Sequence, residues 1–389
     1  MTQASFLESR AWGLGLATTA NDGTILDVWY PSPALGSAPA DAALTADLQA
    51  LVGKDDRRRV SIEIVKTEVD LTAPVTGTAD AYLRLHLLSH LIVKPNTINL
   101  DGLIPNLPIV AFTNVGPIAL TDLEELRPAL TRQGISVYAI DKFPRLVDYV
   151  TPSKVRIADA SRVRLGAHLS PGTTIMHEGF VNFNAGTLGT SMVEGRISQG
   201  VVVGDGADIG GGASIMGTLS GGGKHKVSIG KRALLGANSG VGISIGDDST
   251  VEAGLYITSG TKVTLMVDGR SQVVKAAELS GLPGMLFRRN SQSGAVEAIA
   301  REGQGIELIE HAERTRLDHV DREQQRHGGA ARAHGDAGVG GREGGGGVHA
   351  LARSAADPAR RPVADPHAGL ALEERREPLA DGEAHGLGD

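Results

Sequence analysis

The 389-residue chain contains no cysteine, and only 3% of its residues are aromatic. The absence of cysteine excludes disulfides, thiolate metal sites and a cysteine nucleophile, and it is usual in a reducing compartment. No apolar run reaches the ~18 residues of a membrane-spanning helix, and the first residues lack the basic and apolar regions of a signal peptide. A net charge of -7 without a basic stripe argues against a nucleic-acid partner. We therefore expect a cytoplasmic protein with no membrane partner.

Glycine is abundant, with 52 residues, and many glycines accompany a repeat of period six. A period of six fits neither the 3.6-residue helix nor the alternation of one long strand. It is typical of hexapeptide repeats, in which three short strands form one triangular coil. We predict a mainly β fold centred on a left-handed parallel β-helix, the usual hand for this repeat. The inward positions are Ile157, Val163, Leu169, Ile175, Val181, Thr187, Val193, Val203, Ile209, Ile215, Ile229, Leu235, Val241, Ile245, Val251, Ile257 and Val263.

The repeat also divides the chain into segments. We predict an N-terminal α/β domain over 1–105, a connecting α/β segment over 106–150, the β-helix over 151–265 and a C-terminal extension over 266–309. A glycine-rich, polar break at 216–228 is too hydrophilic for the coil interior, so it should leave the tube as a loop. Residues 310–389 contain no Lys, Ile, Phe, Tyr, Trp, Met or Asn. They cannot build an ordinary core, and we expect a disordered tail that is out of frame or read through.

Two histidines in the N-terminal domain have a spacing that occurs in metal sites. The segment from Asp80 predicts a helix with Leu83, Leu87 and His90 on one side, and His86 lies one turn before His90. Without a third ligand nearby, packing or surface histidines are the favoured interpretation. His168 and His177 are nine residues apart, half a coil, and so do not form a stacked zinc site.

A rigid β-helix offers little concavity within one chain, so we expect ligands to bind in grooves between neighbouring rods of a trimer. Such a groove suits an extended molecule such as coenzyme A. Candidate cations for its phosphates are Lys224, Lys226, Lys231, Arg232 and the pair Arg288 and Arg289. Glu178, Glu194 and Glu252 are candidate acid–base groups, and spacing alone does not choose among them.

Several motifs are more specific than the repeat. They are DKFPRLVDYV at 141–150, MHEGFVNFNAGTLG at 176–189, SMVEGRIS at 191–198, GGGASIMGTLSGGG at 210–223, GANSG at 236–240, VEAGLY at 251–256 and LFRRNS at 286–291. Together they resemble the tetrahydrodipicolinate N-succinyltransferase family in its actinobacterial form, over residues 10–308. The resemblance implies succinyl transfer from succinyl-CoA to the amino group of ring-opened tetrahydrodipicolinate, in the route to diaminopimelate and lysine. It also implies a homotrimer with active sites between subunits.

The same resemblance implies roles for particular residues. Glu194 is the implied catalytic residue, either as general base on the amine or as a nucleophile on the thioester. Arg196 is implied to bind the acyl-CoA carboxylate, a fitting partner for a guanidinium. The other implied acyl-CoA contacts are Gly211, Ser214, Ala237, Glu252, Ala253, Gly260, Lys275, Arg288, Arg289, Asn290 and Ser291.

One position departs from the family pattern. The resemblance implies magnesium on the trimer axis between two acidic positions, of which Glu178 is present, whereas Ser161 stands where the other aspartate is usual. A hydroxyl is a weaker magnesium ligand than a carboxylate, although Asp159 is close in sequence. Two alternatives to succinyl transfer remain: another hexapeptide acyltransferase, such as an N-acetyltransferase on a similar acceptor, and a non-catalytic trimeric scaffold.

Overall fold

The computed structural model describes residues 9–219, 225–267 and 269–300, so the predicted tail over 310–389 lies outside the described residues. The N-terminal part is a five-stranded antiparallel sheet with one long helix packed on it. Its elements are β1 (Arg10–Ala20), β2 (Ile25–Trp29), β3 (Ala34–Leu35), α1 (Ala46–Gln49), β4 (Gly53–Asp55), β5 (Val60–Asp70), α2 (Thr78–Ser89) and α3 (Leu103–Asn106).

The hairpin between β1 and β2 is the one that the Asn21-Asp22-Gly23 sequence predicts. Gly23 has a φ of 86°, in the region that glycine adopts without a steric penalty. The Asp22 carboxylate accepts a hydrogen bond from the Thr24 backbone N–H at 2.9 Å, which closes the turn.

Helix α2 is present where the sequence predicts a helix, and it is buried on every side and not only on the side of Leu83 and Leu87. Every residue from Asp80 to Ser89 is buried, since the helix lies between the N-terminal sheet and the first coil of the β-helix. Arg84 and Asp80 tolerate this burial because they pair at 2.6 Å and the guanidinium also donates to backbone carbonyls. The hydroxyl of Ser89 donates to the carbonyl of Ala167 at 3.1 Å, which fixes the helix to the coil.

His86 is a packing residue of α2, as the favoured interpretation held. Its ring is fully buried, stacks on His90 at 5.7 Å between centroids and meets Tyr30 edge-on. Burial, and secondarily the neighbouring His90, lower the pKa of His86 from 6.5 to about 3. The folded protein therefore holds this imidazole neutral at a pH at which the unfolded chain would protonate it.

Stability should consequently fall in mild acid. Because the folded pKa of His86 lies below the unfolded one, its contribution is complete above about pH 6.5 and is lost as the pH falls towards about 3. The expected slope is about 1.4 kcal/mol per pH unit for one proton. Burial acts in the same direction on His90, while the raised pKa of buried Asp27 acts in the opposite direction.

The measurement is the difference in Tm between pH 7.5 and pH 5.5, for the wild type and for His86→Leu. The variant keeps Asp27 and His90, so a smaller pH-dependent loss of Tm isolates the contribution of His86. An equal loss in both proteins would contradict the assignment.

The connecting segment adds a three-stranded sheet with a helix. Its elements are β6 (Val110–Thr113), β7 (Gly116–Ala119), α4 (Leu120–Arg132) and β8 (Val137–Asp141). The helix buries Leu123, Leu126 and Leu130 on one face, at the three- and four-residue spacing of an amphipathic helix. The helix and the strand predicted in this segment are both present.

From Arg156 to Ile257 the chain visits three parallel sheets in turn, a connectivity typical of a parallel β-helix. Sheet 1 contains β9 (Arg156–Ile157), β11 (Thr174–Ile175), β14 (Ser191–Val193), β17 (Ala207–Ile209), β20 (Leu234–Leu235) and β22 (Thr250–Val251). Sheet 2 contains β12 (Phe180–Val181), β15 (Arg196–Ile197), β18 (Ser214–Ile215), β21 (Gly240–Val241) and β23 (Tyr256–Ile257). Sheet 3 contains β10 (Ala167–Leu169), β13 (Ala185–Thr187), β16 (Val202–Val203) and β19 (Ser228–Ile229).

The predicted inward residues fill the tube. From Val163 to Val263 each has an exposed fraction of at most 2%, and only Ile157, at the first coil, is partly exposed. Thr187 occupies its inward position because its hydroxyl pairs with that of Thr173 at 2.6 Å. Within the predicted loop at 216–228, Thr218 and Lys226 form an antiparallel bridge, and Ser228 already belongs to β19; residues 220–224 lie outside the described residues.

The C-terminal extension continues sheet 1. It consists of β24 (Lys262–Val267), β25 (Arg270–Lys275), β26 (Met285–Arg289) and β27 (Val296–Ala300), with β26 parallel to β22. Within the described residues, no helix is both long enough and apolar enough to cross a membrane.

Candidate active site

Most of the proposed site residues lie along one corner of the β-helix, where the chain turns from sheet 1 into sheet 2. We call this column of turns the 1–2 corner. The parallel registers of sheet 1 place Val193, Ile209, Leu235, Val251 and Phe287 in one row. The residues that follow them are therefore stacked as well, in the order Glu194, Gly210, Gly236, Glu252 and Arg288. Four rungs at about 4.8 Å put Glu194 and Arg288 about 19 Å apart.

Glu194 lies in a shortened turn. Val193 and Ile197 are both fully buried, so four residues separate the inward positions where the other turns of this corner use six. The sequence interpretation passed from Val193 to Val203 and missed Ile197. The ten-residue gap between Val193 and Val203 could have revealed Ile197, because it shows that the phase of the six-residue repeat changes at Glu194.

Glycine at position 211 leaves space for the Glu194 carboxylate. A Cβ atom at Gly211 would lie 3.3 Å from Oε2 of Glu194, which is closer than most such contacts. The Glu194 side chain is half-buried, so its carboxylate is held against the backbone of the next turn and still faces outward. This arrangement can supply a base or a nucleophile to a molecule lying on the corner.

Arg196 comes from the same turn and points along the outer face of sheet 2. Its side chain is exposed, and its Nη2 donates a hydrogen bond to the Ser214 hydroxyl at 2.5 Å. Among the described residues, no carboxylate forms an ion pair with Arg196. The guanidinium is therefore available to an anionic ligand beside Glu194.

The far end of the corner contains the other proposed contacts. Ala237 and Ala253 are exposed in successive turns. Oε2 of Glu252 accepts a hydrogen bond from the Arg289 backbone N–H at 2.6 Å, which fixes the segment from Arg288 to Ser291 above the corner. Glu252 therefore holds the backbone of this segment in place, while the Arg289 side chain is exposed. Arg288 differs, since it pairs with Glu297 at 3.0 Å.

Gly260 and Lys275 lie together at the opposite edge of sheet 2. The backbone N–H of Ala276 donates to the Thr261 carbonyl at 2.8 Å, which brings the end of β25 beside the turn that follows β23. Both residues are exposed. Tyr256 lies between this turn and Ala253, and the sequence interpretation gave it no role. Tyr256 directly precedes inward Ile257 just as Arg196 precedes inward Ile197. This shared position places both side chains on the outer face of sheet 2, and the sequence interpretation did not use it.

Other candidate cations lie elsewhere. Lys231 and Arg232 follow sheet 3, and Arg232 pairs with Asp248 at 2.7 Å. Lys226 belongs to the stem of the excursion loop, and Lys224 lies outside the described residues. Of the sequence candidates for the phosphates, Arg288 and Arg289 therefore remain at the 1–2 corner, and Lys275 lies beside Gly260 at the other edge of sheet 2.

Two cavities are also separate from the corner. One of about 300 Å³ lies beside β1 and is lined in part by Trp12, Leu14 and Leu48. The other, of about 110 Å³, lies between β8 and the first coil and is lined in part by Tyr138, Arg145 and Arg164. Neither of these two cavities is lined by Glu194 or Arg196.

Comparison with known proteins assigns the chain to a family. Residues 107–145 match a profile described as the middle part of tetrahydrodipicolinate N-succinyltransferase, and residues 226–259 match the hexapeptide repeat of succinyl-transferase. A 2,3,4,5-tetrahydropyridine-2,6-dicarboxylate N-succinyltransferase of Pseudomonas aeruginosa is 51% identical over 285 residues, covering 68% of this chain and 83% of the relative. The chain belongs to the tetrahydrodipicolinate N-succinyltransferase family.

Further relatives of the tetrahydrodipicolinate N-succinyltransferase family extend the match. The protein of the same name from Vibrio cholerae is 47% identical over 335 residues, covering 77% of this chain and 96% of the relative. A crystal structure from Campylobacter jejuni, provisionally assigned as a 2,3,4,5-tetrahydropyridine-2-carboxylate N-succinyltransferase, has a TM-score of 0.65 at 30% identity. It covers 77% of this chain and 94% of that chain.

The magnesium site expected at Glu178 from the resemblance to this family is not supported. Oε2 of Glu178 is 3.1 Å from Nη2 of Arg162, and Oε1 is 3.1 Å from Nδ1 of His177. The Ser161 hydroxyl donates to the Asp159 carboxylate at 2.7 Å. Over 9–219, 225–267 and 269–300, no three His, Cys, Asp or Glu residues are grouped to hold a metal. Magnesium requires several oxygen ligands, and the described residues of one chain do not group enough of them.

Chelation should therefore leave the protein active. We expect equal initial rates and equal Tm after dialysis against EDTA and after dialysis against magnesium chloride, because Arg162 already neutralises Glu178. A rate that falls in EDTA and returns with magnesium would contradict this expectation.

Proposed function

We propose that this chain transfers the succinyl group of succinyl-CoA to the amino group of ring-opened tetrahydrodipicolinate. The products are N-succinyl-2-amino-6-oxopimelate and CoA, in the pathway to diaminopimelate and lysine. The observation that carries this proposal is the joint placement of Glu194 and Arg196 in one shortened turn, in a chain 51% identical to a named N-succinyltransferase.

In this proposal Glu194 is the catalytic residue. The acceptor nitrogen attacks the thioester carbonyl carbon, the carbon–sulfur bond breaks, and the amine proton passes through the Glu194 carboxylate to the departing sulfur. Its half-buried position against Gly211 fixes the carboxylate without removing it from the surface. The alternative is that Glu194 first attacks the thioester and forms an acyl anhydride that the amine then opens.

Arg196 binds the free carboxylate of the succinyl group. The guanidinium is positioned by Ser214 and lies one residue beyond Gly195 from Glu194, so an acyl chain held by its carboxylate presents its thioester near the Glu194 corner. The rest of the CoA follows the column past Gly211, Ala237 and Ala253. Its phosphates reach Lys275 by Gly260, or the segment Arg288, Arg289, Asn290 and Ser291.

The proposed site also depends on assembly into a homotrimer. We place the acceptor between two subunits of a homotrimer of left-handed β-helices, because Glu194 and Arg196 face outward from the β-helix, where a neighbouring subunit can complete the site. The domain limits 1–105, 106–150, 151–265 and 266–309, and the cytoplasmic location, stay predictions from the sequence.

The test is CoA release from succinyl-CoA, followed with a thiol reagent. The chain has no cysteine, so the protein itself contributes no background. Release that depends on tetrahydrodipicolinate and is absent with acetyl-CoA is the expected result. Equal rates with acetyl-CoA would favour the N-acetyltransferase alternative, and no release from a protein of trimer mass would reject the proposed acceptor.

A further inference from the structure

The outward row of sheet 2 carries an aromatic side chain at each end, Phe180 on the first strand and Tyr256 on the last. Tyr256 is 49% exposed, and its ring lies over the backbone of Gly240 on the neighbouring strand. A Cβ atom at Gly240 would overlap three atoms of the ring, Cδ2, Cε2 and Cζ, so only glycine permits this placement. The ring therefore packs against the Gly240 backbone on one side and is about half exposed on the other.

Tyr256 lies among the proposed acyl-CoA contacts. Ala253 comes three residues before Tyr256 and Gly260 four residues after it, so the short strand β23 joins the two contacts. Within sheet 2, the parallel register places Arg196, Ser214, Gly240 and Tyr256 next to one another on successive strands. A ligand that runs from Arg196 and Ser214 to Lys275 beside Gly260 must cross the face of Tyr256.

The charges decide which part of the ligand crosses it. On this path the succinyl carboxylate belongs with Arg196 at one end, and the phosphates belong with Lys275 at the other. The stretch between them is the uncharged pantetheine arm, whose methylene groups gain from contact with an apolar ring face. We infer that Tyr256 binds the pantetheine arm of succinyl-CoA, an inference that rests on the proposed function.

The direct test compares steady-state kinetics of the wild type with Tyr256→Ala and Tyr256→Phe. We expect Tyr256→Ala to raise the KM for succinyl-CoA about tenfold, with kcat and the KM for the acceptor unchanged, and Tyr256→Phe to behave like the wild type. Leu234→Ala is the matched control, because Leu234 is a similarly exposed apolar residue on the outer face of sheet 1. An unchanged KM in Tyr256→Ala would overturn the inference.

Gly240 supplies a second test that keeps the tyrosine. Gly240→Ala must displace the ring, so it should raise the KM for succinyl-CoA in the wild type and have no further effect in Tyr256→Ala. Equal effects in both backgrounds would assign the defect to the strand and reject the role of the ring. A loss of trimer mass by light scattering in Tyr256→Ala, with a normal KM in Gly240→Ala, would assign the ring to subunit packing and also reject it.

A truncated donor locates the contact along the ligand. With succinyl-phosphopantetheine, which lacks the adenosine part, Tyr256→Ala should show the same relative rise in KM as with succinyl-CoA. Disappearance of the effect would place the ring against adenine and contradict the inference. A wild type that does not consume succinyl-CoA would instead reject the proposed function, so the two failures are distinguishable.

Discussion

Glu194→Gln should lower kcat by about 10³-fold while the protein keeps its fold and its affinity for succinyl-CoA. Glutamine has nearly the shape of glutamate, and it fits the same space beside Gly211, but it neither accepts the amine proton nor attacks the thioester. The measurement is the initial rate of thiol release at saturating substrates, with Tm and light scattering as checks on folding. A variant that retains more than about a tenth of wild-type kcat would remove Glu194 from the catalytic role.

The same residue decides between the two proposed routes. If Glu194 is a nucleophile, the wild type mixed with succinyl-CoA alone should gain the mass of one succinyl group, and hydroxylamine should release it. If Glu194 is a general base, no such adduct forms without acceptor. Glu252→Gln is the matched control, since Glu252 occupies the equivalent position three turns further and is engaged by the Arg289 backbone.

Arg196→Ala should change donor preference more than it changes the chemical step. Loss of a charge-assisted hydrogen bond costs about 1.5–3 kcal/mol, which corresponds to a rise of about 10- to 100-fold in the KM for succinyl-CoA. Acetyl-CoA has no free acyl carboxylate, so its use should not fall. The measurement is kcat/KM for both donors in the wild type and the variant.

The control for Arg196 is Arg232→Ala, which removes an exposed arginine from a different corner of the β-helix. Arg232 pairs with Asp248, and its loss should leave the ratio of the two donors unaltered. If Arg196→Ala lowers kcat/KM equally for succinyl-CoA and acetyl-CoA, the side chain binds some other part of CoA and the carboxylate role is wrong.

Much of the tube could be predicted because one period governs it. A residue such as Val251 is inward by its spacing alone, and the structure buries it fully. Ile197 was missed because a shortened turn breaks the count. The helix from Asp80 was predicted, but the burial of Arg84 and Asp80 was not, because it depends on their mutual ion pair.

The site was less predictable, for a geometric reason. Which residues share the 1–2 corner depends on the length of every coil between them. Val193 pairs with Ile209 after 16 residues, whereas Ile209 pairs with Leu235 after 26 because the excursion loop intervenes. The alignment of Glu194 with Glu252 therefore follows from summed turn lengths, and the placement of Tyr256 over Gly240 follows from side-chain packing that no spacing encodes.

The burial of α2 against the first coil bears on how the chain is made. The helix and the sheet beneath it are synthesised before any coil, and each later coil hydrogen-bonds to the one before it, 16 to 26 residues upstream in the pairs above. A nascent chain emerging from the ribosome can thus extend the rod one turn at a time on a finished template. Chain synthesis and folding then proceed in the same direction, and each new coil pairs with a coil that has already been made.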